Sequence, residues 1–275
     1  MFPEQAVARI MDQSFNKTNL KKLVSGGLIG NRIHFFDEID STNNHAVSLA
    51  GNGAGEGEVV IADCQTAGRG RLRDRIWHSP PGRNLYTSII LKPDVQPAHA
   101  QGLTLVAGVA VAELLSAYCP VALKWPNDIL AGGRKISGIL TEMRIRGRDV
   151  DFVVVGIGIN INMEADDFQG ELLGISTSLK EQTSNSVSRL DLTAGLYRSF
   201  EKWYRTFIDE GFLPVRERWM EYSDIIGKTI EVTDRSAVQS GTCRGIDSKG
   251  MLLLGDEENR TRRVLSGDVS VTKNG

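Results

Sequence analysis

From Val121 to Ile161 the chain reverses direction through a series of short turns, and this constrains its fold more than any other stretch. Val121 to Lys124 reads as an apolar strand stopped at Pro126, which has no N–H to donate. Asn127-Asp128 and Gly132-Gly133 follow as turns, and Gly138 to Met143 is a returning strand. Arg146-Gly147-Arg148-Asp149 then turns into a run from Val150 to Ile161, Val-rich enough to be buried on both faces. Parallel neighbours need crossovers of about a dozen residues or more, so the sheet is predicted to be antiparallel here. Lys124 beside Trp125, Asp128 in the turn and Lys135 on the way back are expected to face one small volume. Ammonium groups act as point charges for phosphate and an Asp can hold Mg2+, which suits a polyanion with a metal. A plain hairpin with its lysines in water would have the same spacing.

Around this stretch, residues 1–30 carry apolar positions at helical spacing and predict one helix or two short ones. Ile33 to Ile39 reads as a strand, and Ser41-Thr42-Asn43-Asn44 is a polar cluster suited to capping a helix from Thr42 to about Ala50. Val59 to Asp63 and Asn84 to Leu91 are strands, and a helix is expected from about Ala98 to Tyr118. Ser188 to Asp191 fits an S-x-x-D helix start for an amphipathic helix to about Asp209, with another over Leu213 to Tyr222. From Ile225 the pattern changes to short alternating segments spaced by turn residues, which suggests a small barrel. The predicted organisation is a short helical segment over 1–30, an α+β domain over 31–224 with a mixed, largely antiparallel sheet, and a small β domain over 225–275.

A formal net charge of -2 over 275 residues supplies no general attraction to DNA or anionic membrane. Cys64, Cys119 and Cys243 are far apart and outside any C-x-x-C spacing, so neither a disulfide framework nor a zinc site is suggested and a reduced, cytoplasmic compartment is expected. No export signal or membrane anchor is visible in the sequence.

Two further stretches ask for an anionic ligand. In Gly68-Arg69-Gly70-Arg71 the glycines give the backbone freedom and the arginines offer planar, permanently charged donor forks, as in a flap that orders around an anion; an exposed basic loop would look similar. Gly156-Ile157-Gly158-Ile159-Asn160 lacks the third glycine of a dinucleotide fingerprint. Glycines at the end of a buried strand can let a flat ring approach the backbone, with Asn160 offering donor and acceptor to a base edge, or can serve close strand packing. The four histidines show no metal or protease spacing, and no G-x-S-x-G element marks a serine nucleophile. A chemistry needing no nucleophile from the protein is attack of a carboxylate on the α-phosphate of ATP, where cations with Mg2+ relieve the repulsion between two anions.

Ser41-Thr42-Asn43, Gln65 to Arg71, Trp77-His78-Ser79-Pro80, Asn84-Leu85-Tyr86, Lys124 to Asp128, Lys135 to Glu142 and Gly156 to Asn160 together resemble the bacterial biotin-protein ligase family, in that family's order. The resemblance implies a class II synthetase-like catalytic fold with a C-terminal SH3-like barrel. It also implies formation of biotinyl-AMP from biotin and ATP with Mg2+, and transfer of biotin to a lysine of the biotin carboxyl carrier protein. By the same resemblance Ser41, Thr42, Asn43 and Gln65 would hydrogen-bond the biotin head group, while Arg69, Gly70 and Arg71 would close over its carboxylate and the phosphate. Lys124 would stabilise the developing charge. Trp77, Asn127, Lys135 and Asn160 would serve ATP or the adenylate, and Asp128 would help place the metal. A homodimer is an extrapolation from family members that pair through sheet edges.

The sequence departs from the family in two places. The loop usually continues G-R-G-R-x-G-R-x-W, whereas Gly70 to Trp77 lacks the third glycine and is one residue longer. Only about thirty residues precede the match, without the winged helix-turn-helix of members that repress transcription, so no DNA binding is expected. A lipoate or octanoate ligase and a non-catalytic biotin sensor are the competing readings.

Overall fold

The computed structural model describes residues 15–272, apart from 72–74, 235–236, 257 and 259. The first fourteen residues of the expected N-terminal helical segment therefore lie outside the described residues, as do the residues that distinguish the arginine loop. Helix α1 (Lys17–Leu23) starts at Asn16, whose side chain accepts from Asn19 N at 3.0 Å. Strand β1 (Ile33–Ile39) leads into α2 (Thr42–Gly51), capped by Ser41 as its polar cluster predicts. Then come β2 (Val59–Gln65), β3 (Leu85–Leu91), α3 (Pro97–Ala100) and α4 (Leu103–Leu115). The single helix expected over 98–118 is thus two pieces.

The central stretch folds as β4 (Val121–Lys124), β5 (Asp128–Ala131), β6 (Arg134–Arg146) and β7 (Asp149–Ile159), each pair antiparallel. A cis Trp125–Pro126 bond lies in the first turn, and Gly132, Gly133 and Gly147 take positive φ in the other two. Helices α5 (Leu179–Thr183), α6 (Arg189–Glu210) and α7 (Leu213–Tyr222) follow, with Ser188 capping α6 by accepting from Asp191 N at 3.2 Å. The seven-stranded sheet has the order β1-β2-β3-β7-β6-β5-β4, with β1 and β2 parallel and the remaining pairs antiparallel.

The near-continuous apolar runs of β2, β3 and β7 have a simple cause: helices cover both faces of the sheet. Val60, Ile90, Phe152 and Val154 pack under Ala46 and Ala50 of α2. Ile61, Ile89, Val153 and Val155 face the opposite way, into the core shared with α4, α6 and α7. The run Pro97–Leu115 is long and apolar enough to cross a membrane, but two thirds of it is buried inside the protein, as in a core helix.

A second sheet, β8 (Thr229–Asp234), β9 (Ala237–Ile246), β10 (Leu252–Gly255), β11 (Thr261–Val264) and β12 (Asp268–Val271), is antiparallel in the order β11-β10-β9-β8-β12. It docks on the end of the first sheet where Trp125 Nε1 donates to Gly250 O at 3.0 Å and Arg216 Nε donates to Ile246 O at 2.7 Å.

Candidate functional site

Strand register builds the floor of a pocket. Along β7 the residues facing α2 alternate as Phe152, Val154, Gly156 and Gly158, so that face loses its side chains just past the end of the α2 core. Gly156 pairs with Ser88 on one side and Leu140 on the other, and Gly158 pairs with Tyr86 and Gly138. The glycines are required by close approach. A Cβ on Gly156 would meet Asn43 Oδ1 at 2.1 Å, and one on Gly158 would meet the Trp77 ring at 2.5 Å. The flat ring lying over this glycine floor is the chain's own Trp77, with a Cβ on Gly138 also reaching it at 2.9 Å.

One end of the pocket is a hydrogen-bond network of uncharged groups at the N-terminus of α2. Gln65 Oε1 accepts from Thr42 N (2.8 Å) and Thr42 Oγ1 (3.1 Å), and Gln65 Nε2 donates to Ser79 Oγ at 2.9 Å. Ser88 Oγ lies 2.9 Å from Thr42 Oγ1 and 2.7 Å from Asn43 Oδ1. Ser41, Thr42 and Asn43 are all buried. Tyr86 closes the floor with its hydroxyl donating to Pro80 O at 3.0 Å, and burial pushes the phenol well above its ordinary value, so it remains a neutral donor.

The other end is cationic. Lys135 Nζ is 5.5 Å from the centre of the Trp77 ring and 2.6 Å from Asp128 Oδ1. Arg71 Nη2 donates to Gly267 O at 3.1 Å while pairing with Asp268 of β12, and Arg69 of the same loop pairs with Glu142 at 3.0 Å beside the α2 cap. The arginine loop is thus tied to both sheets, through Arg69 and Arg71, while Arg75 pairs with Glu171 at 3.4 Å. Its root is a short antiparallel ladder, with Arg69 bridged to Ile76 and Gly70 N donating to Arg75 O at 2.8 Å.

Of the residues singled out from the sequence, Ser41, Thr42, Asn43, Gln65, Arg69, Gly70, Arg71, Trp77, Asn127 and Lys135 line this pocket. Lys124 does not. It ends the edge strand β4 directly opposite Asp128, which is paired on its other side with Gly138 of β6. Lys135 is the lysine over the floor, and Lys124 stands across β5 beside the Asp128 carboxylate that Lys135 contacts. Asn160 also stays outside the lining. Its amide is used within the fold, with Nδ2 donating to Thr177 O at 3.0 Å and Oδ1 lying 3.5 Å from Asn84 Nδ2. Sequence reasoning missed Ser88 and Glu142 as members of the network. Glu142 shares the even spacing of Gly138 and Leu140, which places all three on one face of a strand.

Comparison with known proteins gives this geometry a family. Residues 35–160 match the Biotin/lipoate A/B protein ligase family, and residues 225–271 match the Biotin protein ligase C terminal domain. The chain is 38% identical over 246 residues to the Bifunctional ligase/repressor BirA of Bacillus subtilis, covering 89% of this chain and 75% of that protein. It is 34% identical over 221 residues to the Biotin--[acetyl-CoA-carboxylase] ligase of Paracoccus denitrificans, covering 78% and 90% respectively. A biotin protein ligase from Aquifex aeolicus, solved in complex with biotin and ATP, superimposes with a TM-score of 0.75 at 28% identity, over 88% of this chain and 99% of that one. With both segments matched and relatives above 30% identity covered over most of their length, this chain belongs to the biotin protein ligase family.

Proposed function

We propose that the protein is an ATP-dependent biotin–protein ligase that forms biotinyl-5'-AMP and then transfers biotin to a lysine of the biotin carboxyl carrier protein. The observation that carries this reading is a pocket with uncharged donors and acceptors at the α2 cap and Lys135 over the glycine floor, with Arg69 and Arg71 of one loop along its lining. Biotin has the same division, with a neutral ureido ring at one end and a carboxylate at the other.

In the first half-reaction a biotin carboxylate oxygen attacks the α-phosphorus of ATP and the bond to the β-phosphate oxygen breaks, so pyrophosphate leaves with the electron pair. Two anions must meet, and fixed cations stabilise the charge that builds up between them. On this reading Ser41, Thr42, Asn43 and Gln65 hold the ureido ring, and Lys135 takes the charge-stabilising role that the sequence resemblance gave to Lys124. Arg69 and Arg71 close over the carboxylate and phosphate, and Trp77 with Asn127 borders the nucleotide. In the second half-reaction the carrier lysine, as free amine, attacks the acyl carbon and AMP leaves. Excluding water between the two steps protects the mixed anhydride from hydrolysis.

A divalent metal entering with ATP fits Asp128. Its Oδ1 is buried and makes no aligned hydrogen bond despite the nearby Lys135 ammonium, and Mg2+ is commonly held by one or two carboxylates together with substrate phosphates. Such an ion would draw charge from the phosphates. A cytoplasmic location is proposed with the function.

The test is acid-dependent exchange of labelled pyrophosphate into ATP, with biotin, lipoate and octanoate in parallel. Exchange with biotin alone supports the reading. Exchange with lipoate or octanoate but not biotin overturns the choice of acid, and biotin binding without exchange makes the protein a sensor.

A further inference from the structure

Glu142 stands on the α2 face of β6, one step beyond Leu140, and its carboxylate is shared between Asn43 at the α2 cap and Arg69 of the arginine loop. Oε2 accepts from Asn43 Nδ2 at 2.9 Å and from Arg69 Nη1 at 3.2 Å, while Oε1 accepts from Arg69 Nη2 at 3.0 Å. Arg69 Nη1 also donates to Asn44 Oδ1 at 2.7 Å, so the first arginine of the loop is fastened to the N-terminus of α2. Asn43 is gripped at both ends, by Glu142 and, at 3.3 Å, the Leu140 carbonyl on its amide nitrogen and by Ser88 on its oxygen, and the missing Cβ of Gly156 leaves room for that oxygen. An exposed ion pair contributes little by itself. This one is a bidentate fork onto a carboxylate that also orients a side chain only 3% exposed.

We infer that Glu142 is a positioning residue that couples the head-group end of the pocket to the arginine loop. With the Leu140 carbonyl it holds the Asn43 amide, and in the same carboxylate it anchors the loop at Arg69. Biotin held by Asn43 therefore stabilises the loop, and an anchored loop slows escape of biotin. The inference rests on the biotin reading of the pocket.

The experiment combines equilibrium dialysis of biotin, tryptic cleavage at Arg71 with and without biotin, and biotin KM and kcat. It is run on the full chain and on Glu142→Gln, Arg69→Gln, the double variant and Glu142→Asp. Glu142→Gln is expected to weaken biotin binding about tenfold, as for loss of a charge-assisted hydrogen bond, through KM rather than kcat. It should also remove the protection that biotin gives Arg71. Because the two share the Arg69–Glu142 contact, the double variant should lose less than the product of the two single losses, and Glu142→Asp, which keeps the charge, should retain protection. A purely structural role would lower the melting temperature of Glu142→Gln and leave the biotin-dependent protection in place, which would overturn the inference. Unchanged affinity, or losses that multiply in the double variant, would overturn it too. If the unaltered chain fails to bind biotin, the ligase reading itself falls and takes the coupling with it.

Discussion

Lys135 Nζ lies 2.6 Å from Asp128 Oδ1, and a bulge in β6 brings the two together. Ile129 pairs with Ser137 but Leu130 pairs with Lys135, leaving Ile136 without a partner on β5. A bulge of this kind re-aims the side chains beside it. Lys135 is thereby turned onto the face of the glycine floor, with its Cε 3.0 Å from where a Cβ on Gly138 would sit.

Lys135→Ala is expected to lower biotin-dependent pyrophosphate exchange by about a hundredfold or more, the usual cost of removing a group aimed at developing charge. Lys124→Ala, which removes a cation beside Asp128 rather than one over the floor, should have the smaller effect. Exchange rates at saturating biotin and ATP decide between them. The opposite ranking would return the role to Lys124.

The two floor glycines should fail in different ways. Alanine at 156 collides with Asn43 Oδ1, while alanine at 158 collides with the Trp77 ring. Overpacking of this kind costs about 1–3 kcal/mol, and each 1.4 kcal/mol is about a factor of ten in affinity. Gly156→Ala is therefore expected to raise biotin KM about tenfold or more with little change in ATP KM. Gly158→Ala should do the reverse and shift tryptophan fluorescence. Equal effects on both substrates would mean that the floor does not divide as the contacts indicate.

Much of this was legible because local chemistry announced it. Ser41 and Ser188 cap the helices their spacing predicted, and Gly132, Gly133 and Gly147 mark the reversals that make the central sheet antiparallel. The polar cluster at α2 and the arginine loop line one pocket. Lys135 was harder to place, because a bulge breaks the alternation by which a strand is read from sequence. Glu142 was harder still. It meets Asn43 across 99 residues of chain, and only the register of β6 against β7 puts it on the same face as Gly138. Asn160 looked like a ligand-reading amide, but the fold uses that amide to join Thr177 and Asn84.

The link from Arg71 to the C-terminal sheet gives a third prediction. Asp268 is 56% exposed, so the pair itself contributes less than about 1 kcal/mol to folding. Asp268→Ala should leave the melting temperature nearly unchanged while tryptic cleavage at Arg71 rises severalfold, since among the described residues the Gly267 carbonyl is then the remaining hydrogen-bond partner of the guanidinium. Unchanged cleavage would show that the loop does not depend on the second sheet.

Glu58 sets an acid limit on stability. Burial pushes its carboxyl up, but the His34 ring at 2.8 Å, the Gly55 N–H at 2.7 Å and Arg32 at 3.9 Å outweigh burial and hold it below the ordinary value of 4.5. A carboxyl whose value is lower in the folded state binds fewer protons there than in the unfolded chain. Its stabilising contribution is therefore complete above pH 4.5 and is lost as pH falls through the folded value. Urea unfolding of the unaltered chain and of Glu58→Gln, compared from about pH 7 down to about pH 3, should show a gap at neutral pH that narrows on the acid side. A gap of constant size across that range would mean that Glu58 stabilises the fold by packing rather than by its charge.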